Sequence, residues 1–102
     1  MLAEQSYQRR ARVLKAMAHP SRLIMLAALA SREHCVRELQ RLVRSDASTV
    51  SRHLSVMRLG GLVEGRKDGL FVWYSLRVPW LPRQVMRFVD CVESKLRREG
   101  PN

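Results

Sequence analysis

The chain has 102 residues, enough for one domain with a modest core, so residues 1–102 are read as a single unit. Hydrophobic residues make up 46%, which argues against disorder, while 19 Lys and Arg against 9 Asp and Glu leave a net charge of +10, the footprint of a polyanion binder. Two cysteines, Cys35 and Cys91, make no disulfide framework. The longest apolar run, Leu23 to Ala30, is too short to cross a bilayer, so no membrane partner is expected. The polar start MLAEQSYQRR is unlike a signal peptide, so a cytoplasmic location with reduced thiols is expected.

In chain order, Tyr7, Ala11, Leu14 and Ala18 recur at helical spacing, with Arg9, Arg10, Arg12 and Lys15 off that stripe, which predicts a helix over 3–18. His19-Pro20 stops it and starts a second, because proline fits a first helical turn. The second helix, 20–31, is apolar on most sides (Leu23, Ile24, Leu26, Ala27, Leu29) and is expected to be central. A third, 36–43, turns Val36, Leu39, Leu42 and Val43 inward. Asp46 is a good N-cap for a fourth, 47–59, which Gly60-Gly61 ends. Residues 62–76 then read as two strands around an Asp68-Gly69 turn. Pro79 and Pro82 open a last helix that runs to Arg98 with the stripe Leu81, Val85, Phe88, Val89, Val92, Leu96.

The expected fold is therefore mainly α, in the order α-α-α-α-β-β-α, with a helix-turn-helix followed by a hairpin wing. The last helix, about 20 residues and roughly 30 Å long, carries more apolar surface than one small core covers. A homodimer that pairs the first and last helices of two copies would bury it.

On a wheel of about 100° per residue, Ala47, Val50, Leu54 and Met57 share one side of the fourth helix. Ser48, Arg52 and Ser55 lie opposite, flanked by Thr49 and Ser51. Serines and threonine are mediocre helix formers, and a merely solvated face would be better served by Glu and Lys. Small hydroxylic residues beside an arginine suit the major groove, where Arg reaches guanine in bidentate fashion. Arg58 adds a cation near the helix end, and His53, at the core edge, divides evenly between packing and a phosphate contact. On the wing, Arg66 and Lys67 precede the turn, where basic residues reach a minor groove or flanking backbone. The candidate contacts with double-stranded operator DNA are thus Ser48, Thr49, Ser51, Arg52, His53, Ser55, Arg58, Arg66 and Lys67.

The segments LKAMAHPSRLIMLAAL, VRELQRLV and STVSRHLSVMRLGGLVEGRKDGLFVWYSL together resemble the ArsR/SmtB family of bacterial metalloregulatory repressors, over about Leu14 to Val92. The resemblance implies a homodimeric winged helix-turn-helix that represses an operon until a metal, a metalloid or an oxidant acts on it. The inducer site departs from the family pattern. Where arsenic- and cadmium-sensing members carry two cysteines around a valine, this chain reads Cys35-Val36-Arg37, so the family's three-thiolate arrangement cannot be built in one subunit. The last helix has Asp90 and Glu93 but no histidine, which removes the family's zinc-type site there.

Three readings of the cysteines stay open. Cys35 and Cys91 act together, binding a thiophilic ion such as arsenite, cadmium or zinc with His34 as a third ligand, or closing a disulfide. Alternatively, Cys91, placed inward by its wheel position, only packs. In the third, no sensor site works and regulation runs otherwise. Two other classes compete with the sequence-specific repressor: an architectural protein that coats DNA, and a winged helix that docks protein. No paired carboxylates, phosphate loop or nucleophile–base set stands out, and His19, His34 and His53 fall on different elements, so no enzyme is expected.

Overall fold

The computed structural model describes residues 2–100. The elements are α1 (Leu2–Met17), α2 (Pro20–Leu29), β1 (His34–Cys35), α3 (Val36–Val43), α4 (Ala47–Leu59), β2 (Val63–Asp68), β3 (Phe71–Leu76) and α5 (Leu81–Glu99). The expected order holds, with β1 added. This two-residue strand pairs antiparallel with β3, His34 opposite Tyr74 and Cys35 opposite Trp73, giving a sheet in the order β1-β3-β2. The wing is thus stitched to the entry of α3 rather than hanging free.

Local chemistry fixes the joints. His19 is extended, and its Nδ1 accepts the Ser21 backbone N–H at 3.0 Å. Pro20 occupies the first helical position, where an N–H would have no intrahelical partner. Helix α2 ends at Leu29, short of the expected Ser31, and its outer side leaves Ile24 and Ala27 exposed. Between α3 and α4, Arg44 takes a left-handed conformation (φ 55°) and donates its N–H to the Gln40 carbonyl at 2.8 Å. The turn of the hairpin is shifted by one residue from the expectation. Asp68 pairs with Phe71, so Gly69 and Leu70 form the turn. Gly69 has φ +63°, which a side chain at the first turn position would resist.

The core gathers Met25, Leu26, Leu39, Val50, Leu54, Met57 and Val63, all essentially inaccessible to solvent. These come from α2, α3, α4 and β2, so α4 is anchored from several sides. Two expectations fail here. Leu42 is exposed, because α3 is short and turns only Leu39 fully inward. Ala47 is also exposed, since the first turn of α4 projects past the elements that cover Val50.

Helices α1 and α5 are different. Among the described side chains of α1 only Ala16 and Met17 reach the core, and α5 packs through Leu81, Pro82 and Val85. Beyond those points Tyr7 (66%), Leu14 (62%), Phe88 (68%) and Leu96 (65%) stand in solvent. The radius of gyration, 15.5 Å, exceeds the about 13 Å of a compact domain of this length, as two projecting helices require. Cys91, expected to face inward, is exposed on α5 because nothing in the protomer covers that stretch of the helix.

Candidate nucleic-acid interface

Helix α4 begins on Asp46, whose carboxylate accepts the Thr49 backbone N–H at 2.8 Å and the Ser48 hydroxyl at 3.2 Å. Hydrogen bonds from Thr49 and then Ser48, with Arg52 nearby, hold the Asp46 carboxyl below its usual range. The cap stays ionised and fixes the first turn. It also occupies the Ser48 hydroxyl as a donor, leaving its oxygen to accept. Ser48, Ser51, Arg52, Ser55 and Arg58 are exposed and Thr49 is half-buried, while Val50, Leu54 and Met57 hold the opposite side in the core. The outer face of α4 is therefore small and hydroxylic, with two guanidinium groups and no partner element over it within the protomer.

His53 does not share that face. It is 7% exposed, its Nδ1 accepts the Arg22 Nε–H at 3.0 Å, and its ring centroid lies 4.4 Å from that of His19. Burial first, then the neighbouring His19 and Arg22, push its pKa down, so the imidazole is held neutral and works as an acceptor. The sequence left His53 between packing and phosphate contact; its burial makes it a support that ties α4 to the α1–α2 junction.

The two wing cations also part company. Arg66 is exposed but bonded to Glu33 at 3.1 Å, with Asp68 at 3.7 Å, so much of its charge is answered inside the protomer. Lys67 is exposed and has no ion-pair partner among the described residues. Leu70 projects fully at the wing tip.

Sequence reasoning missed a second row of charge. Arg37 and Arg41 are exposed on the side of α3 away from the buried Leu39, and the left-handed Arg44 just past the end of the helix is exposed as well. The four-residue step from Arg37 to Arg41 in VRELQRLVR is helical spacing and was the available signal. In a helix-turn-helix the first helix crosses the phosphate backbone, where such a row is useful.

The cysteines are not brought together as a metal centre. Cys35 is buried at the start of α3, where its backbone N–H donates to Glu38 at 3.2 Å, and Cys91 is exposed on α5; both are free thiols. His34 is buried, with Nδ1 3.0 Å from the Arg32 carbonyl oxygen. Among the described residues no group of three or more His, Cys, Asp or Glu is placed to hold a metal ion.

Known proteins share this fold. Residues 19–65 match the family model described as bacterial regulatory protein, arsR family. The HTH-type transcriptional regulator YgaV of Escherichia coli strain K12 is 38% identical over 73 residues, which span 71% of this chain and 74% of that protein. The crystal structure of Rv0081 from Mycobacterium tuberculosis superposes with a TM-score of 0.77 at 30% identity, covering 91% of this chain and 93% of that one. The homodimeric winged helix-turn-helix DNA-binding domain of Mb0332 from Mycobacterium bovis, solved by NMR, gives a TM-score of 0.77 at 27% identity, covering 98% and 92%.

Proposed function

Because this chain belongs to the arsR family of bacterial regulatory proteins, DNA-binding transcriptional regulators rather than enzymes, we propose that it is a cytoplasmic homodimer that represses by holding α4 in the major groove of a specific operator. The observation that carries the reading is the outer face of α4: Ser48, Ser51, Arg52 and Ser55 exposed together over a buried apolar anchor. Arg52 reads a base edge. Ser51 and Ser55 permit close approach. Arg37, Arg41, Arg44, Arg58 and Lys67 meet phosphates. Two protomers joined through α1 and α5 present their α4 helices to half-sites about 34–36 Å apart.

The test is Arg52→Ala measured on operator and on scrambled duplex. Loss of about 1–3 kcal/mol on the operator, with little change on scrambled DNA, is expected. Equal loss on both sequences points to an architectural coat, and no loss on either points to a protein-docking surface.

Release of the operator is proposed to follow a thiophilic ion or thiol oxidation, but not through a site within one protomer. Cys35 is buried at the start of α3 and Cys91 lies exposed on the helix proposed to pair, and no third ligand joins them among the described residues, so a shared ion site would draw its further ligands from across the dimer. The alternative is a regulator with no working metal site, in keeping with the lack of a three-ligand cluster among the described residues of one protomer. Titrating the operator complex with arsenite, cadmium, zinc and peroxide separates them. A response lost in Cys35→Ser supports the thiol switch, and a response retained in that variant excludes it.

A further inference from the structure

An open cleft of about 300 Å³ lies where α1, α2 and the end of α4 meet. Ala16, Val56, Leu59 and Gly60 make an apolar floor and wall, and Arg12, Lys15 and Arg22 supply the charge; no carboxylate lines it. The floor is narrow because α1 and α4 approach closely: a Cβ on Gly60 would sit 2.9 Å from that of Ala16. Leu59 stands 81% exposed at its edge, an uncovered apolar side chain beside three cations. None of those cations has an ion-pair partner among the described residues. Arg22 is positioned rather than neutralised, its Nε on His53 and its Nη1 3.4 Å from the Lys15 carbonyl oxygen, with Nη2 unused.

We propose that this cleft binds a small amphipathic organic acid, with its carboxylate on Arg12, Lys15 and Arg22 and its apolar body on Ala16, Val56 and Leu59. A volume of this size is at the lower end for small-molecule sites, which are apolar hollows with a few convergent polar groups. A DNA phosphate would use the cations but leave the apolar floor without a function, so the organic acid accounts for more of the lining. The exposed stripe of α1 (Tyr7, Ala11, Leu14) lies on the far side of that helix from Ala16 and Arg12, with Lys15 between the two, so pairing through the stripe leaves the Arg12 and Ala16 side of the cleft open. The site has a direct line to α4, because the guanidinium that would take the carboxylate also holds His53. A carboxylate that draws Arg22 outward loosens that tie and weakens operator binding. This last step rests on α4 being the DNA-reading helix, whereas binding itself does not.

The test is an amide NMR titration of the DNA-free protein with octanoate below its micelle concentration. Acetate lacks the apolar body and octanol lacks the charge. Saturable shifts confined to residues 12–17, 22 and 56–61 are expected, with acetate and octanol at least about 10-fold weaker. Arg12→Gln/Lys15→Gln, whose side chains make no hydrogen bond among the described residues, should weaken octanoate about 10-fold or more while the rest of the spectrum is unchanged. Leu59→Ser should weaken it severalfold. Unaltered octanoate affinity in both variants, acetate or octanol binding as well as octanoate, or shifts confined to α5 would overturn the proposal. Absence of octanoate binding, with DNA affinity lost in the double variant, would make the cleft a phosphate seat instead.

Discussion

In α4 the stripe Val50, Leu54, Met57 is sealed inside the protomer, whereas in α5 the stripe Phe88, Val92, Leu96 faces solvent. Both helices carry apolar residues at helical spacing, three or four positions apart. The difference lies in what surrounds them. Helix α4 sits among α1, α2, α3 and β2, while α5 is packed chiefly on α2. Amphipathic periodicity shows that a face will be buried; it does not show against what. The polar sides differ as well. Helix α4 turns out serines and arginines, and α5 turns out Arg83, Arg87, Asp90 and Glu93, the mixed charges of a solvated surface. One helix is therefore built to be held with its polar side outward, and the other exposes an apolar side that a partner would cover. Three uncovered apolar side chains on each of two copies supply a driving force of the size that association costs.

Two substitutions break this contrast from opposite ends. Leu54→Ala empties a fully buried site and should cost about 2–5 kcal/mol of stability, read from urea unfolding. Phe88→Glu should leave the protomer's own core intact, because the ring is already in solvent. It should raise the dimer dissociation constant by about 100-fold, on the order of 3 kcal/mol, as sedimentation would show. If Phe88→Glu unfolds the chain without dissociating it first, α5 belongs to the core and the contrast is wrong.

Smaller changes sharpen the picture of how α4 is held. Asp46→Ala removes the cap of Thr49 and should cost about 1 kcal/mol, while Asp46→Asn keeps most of that bond and removes only the charge. If the Asp46 charge opposes phosphate, Asp46→Asn should bind scrambled DNA slightly more tightly than the parent at low salt. The smallest effect is one of pH. The unfolded chain protonates His53 near its ordinary 6.5, but the folded chain resists, since burial lowers its pKa and Arg22 needs its Nδ1 as an acceptor. Stability present above that value is lost as pH falls through the lowered folded value. The urea midpoint should drop between neutral and mildly acidic pH, and the drop should shrink in His53→Gln.

Much of the outward face of α4 was legible in the sequence, and the reasons are local. Asp46 ahead of Ala47 marks a helix start, and the alternation of Ser48, Arg52 and Ser55 with Val50, Leu54 and Met57 assigns the outer face by geometry alone. Strand β1 was not legible, because two residues carry no periodicity and its pairing depends on β3, almost forty positions on. The fates of His53 and Arg66 were equally hidden. Their partners, Arg22 and Glu33, are 31 and 33 residues away and meet them only after α2 and the sheet have packed.

What the sequence determined by itself is the five helices and the hairpin, the side of α4 that faces outward, and the positive charge behind it, since spacing, capping and composition act over a few residues. What only the tertiary structure decided is which of those charges and rings stay available. Packing withdrew His53, answered Arg66 with Glu33, gathered Arg12, Lys15 and Arg22 over an apolar floor, and left α5 uncovered. Each of these outcomes depends on contacts between segments far apart in the chain, and such contacts exist only once the core has closed.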